Sequence, residues 1–263
     1  MKPVLLLWFA ALAQGAYAQS YPGNVSRYQQ EGSSITILAD SFHVRLWFYS
    51  TDILRMDLLP SQESPADSSP AVIRSAADDV PVTLHDTDSL LTVSSSKLHV
   101  YCRKRPLRFS FADSAGRVFL SEPDAGGMGV HGERRSMRFR LQAQDHFFGT
   151  GERGTSLDRR GQSFESYNTQ MPGYSTPLPT MNLNVNFLAS TNGYAVYIDN
   201  MSRGWFDLGV ADTGMFSYTA SDGRLTWYLL AAPTIPGQLE RYTWLTGRQP
   251  LPPRWAFGFL QSK

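Results

Sequence analysis

The chain has 263 residues, 42% hydrophobic and 13% aromatic, enough for one sizeable core or a core plus part of a second unit. Lys and Arg number 24 against 23 Asp and Glu, a formal net charge of +1; with no basic run to track phosphates, a nucleic-acid partner is not expected. A single cysteine, Cys102, excludes an internal disulfide, so the core itself must hold the fold.

Lys2, an apolar run from Val4 to Ala13 and the small-x-small triplet Ala16-Tyr17-Ala18 open the chain. The run is about ten residues, too short to span a bilayer and suited to a signal h-region. This order predicts a signal peptide over residues 1–18, cleaved after Ala18, and export to a periplasmic or extracellular space with no membrane attachment afterwards. A large exported domain without disulfides fits a bacterial protein better than an extracellular animal one. Asn24-Val25-Ser26 and Asn200-Met201-Ser202 match the glycosylation triplet, a pattern short enough to arise by chance.

Strand patterns dominate the rest of the chain. FHVRLWFYS alternates Phe42, Val44, Leu46 and Phe48 against His43, Arg45, Trp47 and Tyr49. KLHVYC and MRFRLQ alternate as well, and GYAVYIDN and RLTWYLLA are apolar runs of strand length. Turn residues separate them at Asp113–Gly116, Thr191–Gly193 and Ser221–Gly223, and Pro60–Pro70 is a polar surface loop. One helix is predicted in TIPGQLERYTWLTG, opened by Pro236, closed by Gly247, with Leu239, Tyr242 and Leu245 sharing its apolar face. Many short strands with almost no helix predict a mainly β chain, an antiparallel β-sandwich or supersandwich.

Between Gly149 and Leu183 the periodicity stops, and Gly, Ser, Thr, Asn and Pro take over. Phe164, Tyr167 and Tyr174 interrupt that polar stretch, and disordered linkers are poor in aromatics. The segment therefore reads as an ordered loop that presents side chains. Gly149, Gly151 and Gly154 have the spacing of a dinucleotide fingerprint, but TSLDRRGQS lacks the apolar period of the required helix, so the glycines read as tight turns. The five histidines (His43, His85, His99, His131 and His146) show no metal-ligand spacing, and no metal or other cofactor is expected. Gly-x-Ser-x-Gly is absent. Asp145, Glu152, Asp158 and Glu165 fall near or in the loop, where carboxylates usually cap turns or face water.

Four segments in order carry a family resemblance: FFGTGERG, YNTQMPGYSTP, NVNFLASTNGYAVYIDN and LTGRQPLPPRWAFGFLQSK. Within them stand Gly151-Glu152, Tyr167-Asn168, Gly193-Tyr194, Asp199-Asn200, Leu245-Thr246-Gly247 and, most specific, Pro250 to Lys263. Together they resemble the N-terminal part of glycoside hydrolase family 31, the retaining α-glucosidase and α-xylosidase family. The resemblance implies a galactose-mutarotase-like β-sandwich over residues 19–235, a connecting helix and linker over 236–250, and at 251–263 the first strand of a (β/α)8 barrel, whose burial on both faces would explain Trp255, Phe257, Phe259 and Leu260.

Catalysis in that family uses two aspartates on later barrel strands, so the resemblance assigns no catalytic residue here and implies that the 263 residues alone do not hydrolyse glycosides. It implies instead that the Glu165–Pro179 loop walls a sugar pocket: Tyr167 stacks on a sugar face, Asn168 bonds a hydroxyl and Tyr174 lines an outer subsite. The expected partners are an α-linked oligosaccharide or glycoside and the catalytic barrel, in cis or as a complementing fragment. Two alternatives stay open: a stand-alone carbohydrate-binding sandwich, and a mutarotase-like isomerase pairing His131 or His146 with Glu152.

Overall fold

A computed structural model describes residues 19–40, 42–61, 63, 68–76, 80–170, 173, 175, 177–179 and 181–259. The predicted signal peptide and Tyr174 lie outside the described residues.

Among the described residues the chain forms β1 (Val25–Glu31), β2 (Ser34–Ala39), β3 (Phe42–Ser50), β4 (Ile53–Pro60), β5 (Thr83–Asp86), β6 (Leu90–Ser94), β7 (Leu98–Lys104), β8 (Leu107–Asp113), β9 (Val118–Ser121), β10 (Gly129–His131), β11 (Arg134–Arg140) and β12 (Phe147–Gly151). It continues through β13 (Ser163–Ser166), β14 (Asn184–Ser190), β15 (Tyr194–Ile198), β16 (Gly204–Asp207), β17 (Met215–Ala220), β18 (Leu225–Ala231) and α1 (Ile235–Thr246). One large antiparallel sheet runs β1-β2-β3-β4-β18-β15-β14-β12, and two five-stranded antiparallel sheets run β10-β11-β17-β16-β13 and β5-β6-β7-β8-β9.

Side chains alternate across a strand, so each sheet turns one apolar set inward. The large sheet contributes Ile35, Ile37, Val44, Leu46, Met56, Val196 and Trp227; one small sheet contributes Met137, Phe139 and Phe216, and the other Val100, Phe109 and Phe111. These form a single buried cluster, which makes the architecture a supersandwich, as the strand pattern predicts. Trp227 is fully buried at its centre, edge-on to Phe111 at 5.7 Å and Phe139 at 5.5 Å. Cys102 is buried in the same cluster, a core residue as its place in an alternating strand suggests.

The large sheet is covered on its outer face too, which is why β4 and β18 are buried along almost their whole length, the paired Arg55 and Asp57 of β4 included. There α1 packs on Phe187, Ala195, Tyr197, Tyr228 and Leu230. Thr234 caps the helix by accepting from Gly237 N at 3.2 Å, and Gly247 closes it at φ 100°. The inward face differs from the expected one. Leu239 is 43% exposed, and Gln238 is buried in its place beside Tyr242 and Leu245. Gln238 donates Nε2 to Ser190 O at 2.8 Å and Ala232 O at 3.1 Å, so both N–H groups of its amide are satisfied.

Two further differences from the sequence reading stand out. Inside the supposedly aperiodic stretch, Ser163–Ser166 forms β13 by pairing with β16. Where a barrel strand is expected, Arg254–Phe257 form a single 3-10 turn, with Trp255, Phe257 and Phe259 exposed; Leu260–Lys263 lie outside the described residues. A strand exists only by pairing, and among the described residues no other strand pairs with this segment.

Candidate functional site

The loop region lies where two sheet edges meet. β12 closes one edge of the large sheet, β13 closes one edge of a small sheet, and β14 passes beside both. Glycine makes the junction possible. Gly151 pairs with Asn184 across an irregular register at φ 86°, and a Cβ there would fall 2.2 Å from Leu183 O and 2.9 Å from Asn184 Cα. The Gly149-x-Gly151 spacing is therefore a bulged edge, in keeping with the tight-turn reading and not with a phosphate loop. Between the two glycines Thr150 sits at φ 68°, a conformation unusual for a β-branched residue. Its hydroxyl donates to Gly149 O and accepts from Arg153, which holds it there.

A cleft of ≈ 320 Å³ opens over this junction, lined by Ser166, Tyr167, Asn168, Asn184, Asn186, Asn200, Met201 and Ser202. The structure thus brings Tyr167 and Asn168 together at one site. Tyr167 is 41% exposed, and Arg203 lies over its ring with the guanidinium carbon 4.6 Å from the centroid. Arg203 is itself held by Glu165 at 2.7 Å. A cation on one face of an aromatic ring leaves the other face for a ligand.

Asn168 also has a duty within the loop. Its Oδ1 accepts Asn184 N at 2.6 Å, so its carbonyl ties the loop to β14 while the residue lines the cleft. Asn184 donates Nδ2 to Tyr167 O at 2.7 Å and to Met181 O at 3.1 Å. Ser166 donates to Asn186 Oδ1 at 2.5 Å, and Asn186 donates onward to Asn200 O at 3.3 Å. Asn200 gives its NH2 to Asp222 O and Arg224 O, so the Asn200-Met201-Ser202 triplet holds a turn through that amide. Sequence reasoning passes over Asn184, Asn186 and Asn200 as site residues; the only signal is the density of asparagine around strand ends.

Among the described residues, none that ionises lines the cleft except Tyr167. Amides and hydroxyls that donate and accept suit a neutral polyol and provide no acid–base pair. Two of the nearby carboxylates, Asp145 and Asp158, are committed elsewhere. Asp145 is buried, accepts Gln142 N and Ser190 Oγ, and is pushed above the usual carboxylate range by burial. Asp158 accepts His146 Nδ1 at 2.6 Å together with Phe147 N and Arg160 N; despite burial, which acts the other way, these bonds keep it below the usual range. The carboxylate on His146 is therefore Asp158, not Glu152, while His131 is exposed at the end of β10. Neither histidine makes the pair that a mutarotase-like reaction would use.

Residues 43–207 match the family model described as "Glycosyl hydrolase 31 N-terminal galactose mutarotase-like domain". Alpha-glucosidase 2 of Bacillus thermoamyloliquefaciens is 32% identical over 246 residues, covering 92% of this chain and 31% of that protein. Alpha-xylosidase XylQ of Lactiplantibacillus pentosus is 32% identical over 114 residues, covering 43% of this chain and 15% of its own. Among solved structures, a Flavobacterium johnsoniae GH31 dextranase complexed with isomaltotriose superposes with a TM-score of 0.85 at 22% identity, covering 91% of this chain and 30% of that one. The chain thus spans about a third of the length of these broadly matching relatives.

Proposed function

Because the chain belongs to glycoside hydrolase family 31, through that family's N-terminal galactose mutarotase-like domain, we propose that it is the sugar-contacting, pocket-shaping segment of an exported retaining α-glycosidase. The substrate class is an α-linked glucose oligosaccharide, in line with the isomaltotriose bound to the dextranase of the same fold. The observation that carries this reading is Tyr167, exposed over a cleft of neutral amides and hydroxyls and backed by Arg203. Retaining hydrolysis needs two carboxylates about 5–5.5 Å apart. With Asp145 and Asp158 committed to structural bonds, that pair is assigned to the family's barrel, and the present residues orient the sugar. Leu251, Trp255, Phe257 and Phe259, each at least 71% exposed, are in this reading where the barrel docks.

Titration of the 263-residue chain with isomaltotriose, followed by amide NMR, tests the binding role. One loop buries little of a sugar, so a Kd of ~1 mM or weaker is expected. The shifts should fall on the side-chain amides of Asn168, Asn184, Asn186 and Asn200 and vanish in Tyr167→Ala. Shifts elsewhere, or none up to saturating sugar, refute it. Expression with residues 1–18 in a bacterial host tests export: the secreted protein should begin at Gln19.

A further inference from the structure

Arg153 is 9% exposed and bonds Asn184, one of the residues that line the cleft. A guanidinium has five N–H donors, and here all five are used. Nε donates to Thr150 Oγ1 at 2.8 Å, Nη1 to Glu165 O at 3.2 Å and to Pro179 O, and Nη2 to Thr150 O at 3.1 Å and Asn184 Oδ1 at 2.8 Å. Phe164 stacks under the guanidinium at 3.7 Å. None of these acceptors is a carboxylate. Burial, with Arg159 as a second buried cation nearby, pushes Arg153 down to about 9. A buried cation held only by neutral acceptors is costly, and for stability alone an apolar side chain would serve as well.

The acceptors explain what the placement achieves. They come from the bulge at Thr150, from β13 at Glu165, from the far end of the loop at Pro179 and from β14 at Asn184. Both sheet edges and both ends of the loop are thereby tied to one planar group. The bond to Asn184 Oδ1 also fixes which way that amide faces, and so turns its Nδ2 to Tyr167 O. Asn184 N then holds Asn168 Oδ1. We propose that Arg153 is a positioning residue for the sugar cleft, acting through Asn184 to set Tyr167 and Asn168. This rests on the sugar-cleft reading above. Lysine, a point charge without a fork, cannot replace it.

The test compares Arg153→Lys, Asn184→Ala and the double variant in the 263-residue chain. The readouts are hydrogen exchange at the residue-184 backbone amide, the Tyr167 ring resonances and the melting temperature. Arg153→Lys and Asn184→Ala should each speed exchange at residue 184 about tenfold or more and move the Tyr167 ring signals, and the double variant should be no worse than either single one. The proposal is overturned if Arg153→Lys lowers only the melting temperature and leaves residue 184 protected. It is also overturned if the two effects add, since the residues then act independently. Should Arg153→Lys fail to fold, the half-buried Asn184→Ala still decides: a Tyr167 environment unchanged by it breaks the relay. Isomaltotriose titration of the same variants separates the two ideas. If the parent chain binds no sugar while the coupling holds, the binding reading fails and the positioning role stands.

Discussion

Gly151→Ala offers a sharp test of how the site is built, because a second glycine nearby serves as its control. Both Gly151 at φ 86° and Gly161 at φ 74° occupy the left-handed region, where an L-residue pays about 1–2 kcal/mol. Their surroundings differ. A Cβ on Gly161 would meet nothing within 4 Å, whereas one on Gly151 would overlap Leu183 O at 2.2 Å and press on Asn184 Cα and Val185 N, each at 2.9 Å. All of these are backbone atoms of β14 or its approach, so no side-chain rotation relieves the overlap and the edge itself must move. Overpacking of that kind costs about 1–3 kcal/mol more. Gly161→Ala should therefore lose ~1–2 kcal/mol and Gly151→Ala roughly 2–5 kcal/mol in urea unfolding. The difference amounts to about 2–4 °C in Tm per kcal/mol for a domain of this size. Gly151→Ala alone should also broaden the Asn184 and Asn168 amide signals. Equal losses for the two variants would show that the close approach of β12 to β14 is not what Gly151 provides.

Further expectations concern the core and its buried polar groups. Glu122 is buried, accepts Phe109 N at 2.9 Å and Met128 N at 2.7 Å, and is raised to about 7 by burial. A carboxyl raised in the folded state holds a proton that the unfolded chain has released, so its share of stability is full below about pH 4.5 and is lost as pH rises through about 7. Urea midpoints measured from pH 4.5 to 8 should show that fall, and Glu122→Gln should flatten it; the same slope in both proteins would remove Glu122 as its source. Trp227→Ala should cost ~3–5 kcal/mol by chemical denaturation, since it opens a cavity where three sheets meet. Gln238→Leu should lower the unfolding free energy by about 1–3 kcal/mol by leaving Ser190 O and Ala232 O unpaired, and an unchanged value would show that those carbonyls find other donors.

The sandwich was legible because its signal is local and periodic. Phe42, Val44, Leu46 and Phe48 alternate in the sequence and are all buried in β3. The helix was legible from Pro236 and Gly247, but its inward face was not. Hydrophobicity favours Leu239 over Gln238, and only the carbonyls of Ser190 and Ala232, distant in sequence or hidden in a turn, make the glutamine the better fit. β13 escaped because four residues carry too little alternation to show a period, and its pairing partner lies some forty residues on. Tyr167 and Asn168 were singled out through resemblance, and both line one cleft. The carbonyl duty of Asn168 was invisible, since it depends on Asn184 coming within 2.6 Å across the loop.

The location of the cleft comes from the topology. Edge strands carry unpaired N–H and C=O groups that must be covered or bonded. In this fold β12 and β13 are edges of different sheets lying on either side of β14, so two such rows come together at one place. Beside that junction side-chain amides bond the main chain: Asn168 in the loop accepts the N–H of Asn184 at the start of β14, and Asn184 and Asn186, both on β14, donate to Tyr167 O and Asn200 O. The same amides line the cleft. Tying the loops to β14 and forming a polar surface are thus one structural solution. Replacing the cleft asparagines with apolar residues should therefore loosen the β13–β14 junction as well as remove contacts to sugar, and the two effects should track together in exchange rates and titration.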